Sequence, residues 1–326
     1  MRGSVPATGA PQLSKRRAMR RPSVLLTATA ASVVAAVVVS GCEARVYGTP
    51  PAPDGPHLTV VAPQGALAPL PEAPPDQPPA AFTGLDDRAR MATEEAAEAG
   101  ADITLVVEDR NTGQIVSNGN NRGIAIASVV KLFIADDLLL SGKPLSPEDV
   151  KNFQSMLRSS DDSAAEVFWN RGGGSDIVTR VAQRYGLSGT RPPGDGRWWN
   201  TISTAADLVR YYDMLLSGAG GLPRDKAGMI IANLAASTPD GIDGTQPGGV
   251  YPQRFGIPEG LYAVPVAVKQ GWMCCVGSDW MHLSTGVIGA DRRYIVVIGS
   301  DQPAGAAEAR ATITQAVKTL FPGGRI

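Results

Sequence analysis

Eleven of the 26 prolines in this 326-residue chain fall between Glu43 and Ala80, and that cluster decides where a packed body can form. Proline fixes φ and removes a backbone donor. A stretch this rich in it, with no sustained period of 2 or 3.6, reads as a semi-rigid polyproline-like tether. Its reach is at most about 3.1 Å per residue, on the order of 100 Å in all. Folding is therefore confined to the residues after Ala80, and the chain divides into residues 1–41, a tether over 42–80 and one body over 81–326. Hydrophobic residues make up 43% of the chain, enough for that body to bury a sizeable core.

Ahead of the tether, Lys15, Arg16, Arg17, Arg20 and Arg21 precede an apolar run over 24–39 that closes on Ser40-Gly41-Cys42. A basic region followed by an apolar stretch of about 15 residues and a small-residue end is a secretory signal, too short and wrongly flanked for a spanning helix. Val39-Ser40-Gly41-Cys42 resembles the bacterial lipobox, which implies acylation of Cys42. An ordinary cleavage site with an incidental cysteine is the alternative. With the lipid in place, two-signal anchoring is satisfied. The expected protein is exported and lipid-anchored to the outer face of the plasma membrane, its body near the cell wall.

Charge and residue counts exclude other classes. The first 41 residues carry six of the 30 basic side chains and no acidic one, which leaves 24 basic against 31 acidic beyond them. No basic surplus remains for nucleic acid. Three cysteines and two histidines exclude a disulfide framework and an all-cysteine zinc site, and a mixed site would need both His57 and His282. Neither metal nor cofactor is expected, and the expected state is a monomer.

Within the body, residues 86–99 read as a polar helix, and 103–107 with 114–116 as a hairpin around Asn111-Thr112-Gly113. Residues 128–140 are apolar nearly all round, hence a buried helix. Ser146-Pro147-Glu148-Asp149 opens a helix through 157. Ser175 is expected to cap another that stops at Gly186. Residues 204–216 and 224–236 continue the helical middle, and 237–260 are Gly- and Pro-rich loop. Strands are expected at 262–268, 282–288 and 294–299, then a helix over about 304–320. Hairpin, helical block, three strands and helix is an α+β order, with the sheet made from both chain ends.

Ser128-Val129-Val130-Lys131 puts a hydroxyl and an amine three apart on one side of a helix's first turn. A lysine desolvated enough to lose its proton can take the serine's without any histidine. The helix N-terminus adds donors for a developing oxyanion. Alone, this spacing is common and ordinarily means a cap and a solvated lysine. Here Ser160-Asp161-Asp162 comes about 30 residues later, and Lys269-Gln270-Gly271 lies on a predicted strand. In this order the three resemble the penicillin-recognising serine acyl-transferases, in particular the class A β-lactamase relatives, whose elements are S-x-x-K, S-x-N and K-[TS]-G. The resemblance extends to Gly172-Gly173, Thr190-Arg191, Gly194-Asp195 and Ile257-Pro258.

That resemblance implies a β-lactamase-like fold, an antiparallel sheet flanked by helices with an all-helical subdomain. It implies Ser128 as acylated nucleophile, Lys131 as its base, Ser160 as proton relay and Lys269 as attractor of a substrate carboxylate. The backbone N–H groups of Ser128 and Trp272 would form the oxyanion hole, and Asp162, Gln270, Gly271 and Trp272 would meet the ligand.

The departures bear on the same residues. Asp162 replaces an amide, and a carboxylate accepts where an amide can also donate. It can also pair with Lys131 and favour the ammonium. Gln270 replaces a hydroxyl residue. Between Thr190-Arg191 and Gly194-Asp195 stand only Pro192-Pro193, so the Glu that positions the deacylating water in class A enzymes is missing. Glu166 belongs to the second element's helix and is no substitute. Trp198 and Trp199 either pack or rim the cleft, and Cys274-Cys275 is either a vicinal disulfide or two thiols. His282 reads as structural, and His57 lies in the tether, which leaves no histidine for a triad. The expected function is a cell-envelope lipoprotein with a degenerate site, without efficient β-lactam hydrolysis, that binds a cell-wall or protein ligand. The alternative is a slow serine acyl-enzyme acting on peptidoglycan peptides or β-lactams through Ser128 and Lys131.

Overall fold

The computed structural model describes residues 82–326. The signal segment, Cys42, His57 and the tether lie outside the described residues.

The body opens with α1 (Leu85–Glu98), then the hairpin of β1 (Asp102–Asp109) and β2 (Gln114–Ser117) and a short β3 (Ile124–Ala125). A helical block comes next: α2 (Lys131–Leu140), α3 (Pro147–Arg158), α4 (Asp162–Arg171) and α5 (Asp176–Tyr185), then β4 (Ile202–Ser203), α6 (Ala205–Ser217) and α7 (Arg224–Ala235). After it come β5 (Asp240–Ile242), β6 (Val250–Pro252) and α8 (Ile257–Gly260), and the body closes with β7 (Val266–Val276), β8 (Asp279–Ile288), β9 (Tyr294–Gln302) and α9 (Ala306–Leu320). The main sheet runs β2-β1-β9-β8-β7, antiparallel throughout, with the late strand β9 inserted beside the early strand β1. The expected α+β order and two-ended sheet are therefore present.

Period-two alternation divides the interior in two. Ile103, Leu105 and Val107 of β1 and Val296 and Ile298 of β9 join the core shared with α1 and α9. Val106, Ile295 and Val297 face the helical block. Ser146 caps α3 by accepting from the Asp149 N–H while the Asp149 side chain accepts from the Ser146 N–H, a reciprocal capping box. The cap expected at Ser175 is absent as a side-chain bond, because that residue has already turned helical, whereas Gly186 ends α5 in the left-handed region as expected. α2 buries polar groups as well as apolar ones. Asp136 is fully buried and accepts from Arg184 at 2.6 Å and from Tyr185, which ties α2 to α5.

Two expectations need correction. The Gly- and Pro-rich stretch 237–260 holds a small hairpin, β5 with β6, and the one-turn α8. The strand expected at 262–268 starts at Val266 and runs on to Val276. Its apolar start places the expected boundary too early, and ladder pairing with β8 carries the strand through Lys269, Gln270 and Gly271.

Candidate active site

The Ser128 turn, the α3–α4 junction and β7 meet at one point. Ser128 lies in a 3-10 turn (Ala127–Val130) that runs directly into α2. β7 can lie against this turn because residue 271 is glycine: a Cβ there would sit 2.6 Å from the Ile126 carbonyl oxygen. Ser160 occupies the step between α3 and α4, and the Asp161 side chain caps α4 by accepting from the Ser163 and Ala164 N–H groups. Three non-glycine residues among those described have positive φ, and two of them are Ala127 (42°) and Ser160 (56°). Such conformations cost on the order of 1–3 kcal/mol each and persist where the surroundings enforce them.

These elements bring four predicted side chains into one hydrogen-bonded chain. Lys131 Nζ lies 2.7 Å from Ser128 Oγ, 2.7 Å from the Ser160 carbonyl oxygen, 3.2 Å from Ser160 Oγ and 2.6 Å from Asp162 Oδ1. Lys269 Nζ donates to Ser160 Oγ at 2.8 Å and to the Gln270 carbonyl at 3.1 Å. The Ser160 hydroxyl thus joins the two lysines. Both are buried, at 0% and 1% exposure. Burial pushes the Lys131 amine below its ordinary range, against the pull of the Asp162 carboxylate. Lys269 is pushed well below by burial and then by the charge of Lys131. As an ammonium Lys131 can donate to Ser128 Oγ, the Ser160 carbonyl and Asp162; as a neutral amine it keeps two N–H groups and can turn its lone pair to the Ser128 O–H.

A cleft of about 230 Å³ opens above Ser128, lined also by Asp162, Trp198, Trp199, Asp243 and Trp272. Trp198 is buried, with its ring centroid 4.6 Å from Lys131 Nζ and its Nε1 donating to Glu166 Oε2 at 3.2 Å. The ring of Trp199 meets it edge-on. Trp272 stacks on Tyr251 with centroids 4.9 Å apart and donates from Nε1 to Asp243 Oδ2 at 2.8 Å. Cys274 and Cys275 are joined as a vicinal disulfide, and Cys274 lines the cleft.

Not every predicted residue reaches the cleft. Gln270 is expected to meet the ligand, but its side chain turns away from the cleft toward Phe255 and Ser284. There it is 2% exposed, donates to the Phe255 carbonyl and accepts from Ser284 Oγ. Lys269 lies below the cleft rather than on its wall, and its nitrogen is already engaged by Ser160. Asp243, Thr245 and Gln246 line the cleft without having stood out in the sequence. They hang from the β5–β6 hairpin, whose only signal is a Pro247-Gly248-Gly249 turn between two short runs.

The model of the "Beta-lactamase enzyme family" matches residues 145–322, a span that includes Ser160, Asp162 and Lys269. The chain belongs to the beta-lactamase enzyme family. Among curated proteins of known sequence, the putative lipoprotein LppW of Mycobacterium tuberculosis is 60% identical over 320 residues, 94% of this chain and 99% of its own. LppW of Mycobacterium bovis matches to the same extent, 60% over 320 residues. A solved beta-lactamase from Chitinophaga pinensis superposes with a TM-score of 0.57 at 14% identity, over 72% of this chain and 98% of its own. One from Sphaerobacter thermophilus gives 0.58 at 12%, over 73% and 97%. At such identities these structures show the beta-lactamase fold, which is the fold expected from the sequence.

Proposed function

We propose that this chain is an envelope lipoprotein whose Ser128 takes an acyl group readily and gives it up slowly. The observation that carries the reading is the hydrogen-bonded chain from Ser128 Oγ through Lys131 Nζ and Ser160 Oγ to Lys269 Nζ. In acylation the Ser128 oxygen bonds the carbonyl carbon and its proton passes to Lys131. Ser160 returns a proton to the leaving nitrogen as the C–N bond breaks, and the backbone N–H groups of Ser128 and Trp272 face the oxyanion. The donors in view are peptidoglycan peptides and β-lactams.

Release needs a positioned water. Over Lys131 stands the indole of Trp198, whose N–H is the group that engages Glu166. An apolar ring there supports a long-lived acyl-enzyme over rapid turnover. Anchoring through a lipid on Cys42, on the outer face of the plasma membrane, is supported by the Val39-Ser40-Gly41-Cys42 motif and by the lipoprotein name of a relative 60% identical.

A second reading, ligand binding without chemistry, draws on the Lys131–Asp162 ion pair at 2.6 Å, which favours the ammonium. One experiment separates the two. The full chain in detergent is treated with a fluorophosphonate, which loses fluoride as it bonds the serine oxygen, and separately with a penicillin, and intact mass is followed for hours. A persistent adduct absent from Ser128→Ala is expected with at least one of the two reagents. A folded wild type that takes up neither reagent would leave the binding reading.

A further inference from the structure

The charge of the cleft wall is opposite to what a carboxylate ligand needs. The ionisable side chains lining it are Asp162 and Asp243, and three indoles, Trp198, Trp199 and Trp272, line it beside them. The two site lysines sit beneath at 0% and 1% exposure, bonded to Ser160. Arg197 is outside the lining, 5.9 Å over the Trp199 ring and 3.9 Å from Asp195. Asp243 is held rigidly: Oδ2 accepts from Trp272 Nε1 at 2.8 Å, and Oδ1 accepts from the Thr245 N–H at 2.9 Å and its hydroxyl at 2.6 Å. Gly241 makes room for this arrangement, since a Cβ there would sit 2.5 Å from the Trp272 ring. Asp162 uses Oδ1 for Lys131, and its side chain, 44% exposed, lines the cleft.

Carboxylates beside indole faces attract cations, by Coulomb attraction and by the quadrupole of the rings. We infer that the cleft above Ser128 selects acyl donors carrying an ammonium group and disfavours those that end in a carboxylate. The inference rests on the reading of Ser128 as an acylable nucleophile only for its kinetic arm. In that arm the Ser128 oxygen bonds the acyl carbon of an ester, the proton goes to Lys131 and the phenolate leaves.

The test uses the full chain in detergent with three probes of similar length. The p-nitrophenyl esters of 6-aminohexanoic acid, hexanoic acid and adipic acid carry a cationic, neutral or anionic tail, and adduct at Ser128 is counted by mass against Ser128→Ala. In parallel, the corresponding amides are titrated into Ser128→Ala, with fluorescence of the cleft tryptophans as readout. Cation over anion by about tenfold or more is expected in both arms, shrinking as salt rises and in Asp243→Asn and in Asp162→Asn. Equal or anion-favouring binding, or a preference untouched in both variants, would overturn the inference. Amide binding with the expected preference but no ester adduct would keep the inference and remove the acyl-enzyme reading.

Discussion

The centroid of the Trp198 ring lies 4.6 Å from Lys131 Nζ, and the Trp198 N–H is bound by Glu166 at 3.2 Å. The indole therefore has a fixed position over the amine that would activate Ser128, and it occupies the space a water would need there.

Trp198→Ala is expected to shorten the lifetime of a Ser128 adduct, because it admits water to the space over Lys131. It should also cost about 3–5 kcal/mol of stability, as large-to-small core changes do. Adduct decay by intact mass and denaturant unfolding read the two effects. A folded variant with unchanged adduct lifetime would mean that Trp198 is not the barrier.

Asp162→Asn should move the pH dependence of Ser128 modification. The rate is expected to rise with pH as Lys131 loses its proton, with a midpoint below lysine's ordinary 10.5 because burial outweighs the carboxylate. Asp162 raises the Lys131 value by charge and by hydrogen bond, so its removal shifts the midpoint toward acid. Rates with a fluorophosphonate across pH decide it, and a shift toward base would contradict the assignment.

Gly271→Ala should detach β7 from the Ser128 turn, since the added carbon would meet the Ile126 carbonyl at 2.6 Å and Val129 at 3.3 Å. Overpacking of this kind costs about 1–3 kcal/mol. Modification of Ser128 should fall more than stability does, because Lys269 and Trp272 move with the strand. Equal adduct yields in variant and wild type would show that the close approach is dispensable.

His282 gives a prediction on the acid side. Burial pushes it from 6.5 down to about 3. Between those values the unfolded chain binds more protons, so stability falls as pH drops from 6.5 toward 3. Above that window the group contributes no pH dependence. His282→Gln should lower the melting temperature at neutral pH, through loss of the 2.7 Å bond to Tyr251, yet flatten the decline toward acid. Parallel slopes for the two proteins would assign the acid loss elsewhere.

How far the sequence carries is clear from β7. Ser128, Lys131, Ser160 and Lys269 are legible because they stand in three short motifs whose order resembles that of the class A β-lactamases, and the fold brings all four together. Gln270 is misread because its role depends on which way its side chain turns. In the fold it turns to the Phe255 carbonyl and Ser284 Oγ, a choice that the motif does not reveal. Asp243 is missed for a different reason: it hangs from a hairpin of three-residue strands with no periodicity to detect. Trp198 and Trp199 are visible as an aromatic pair, but only the bond to Glu166 and the approach to Lys131 show which of them covers the site.

The pairing of Asp102 with Asp301 has a consequence for synthesis. The strand that lies between β1 and β8 is translated after every other strand of the sheet. A polypeptide cut short before Tyr294 would hold the Ser128 turn and β7, yet would leave β1 and β8 as open edges with nothing between them. Such edges recruit other chains. Truncation ahead of β9 should therefore yield aggregate rather than a partly folded protein, and the cleft above Ser128 has a stable sheet behind it only once the whole domain has been made.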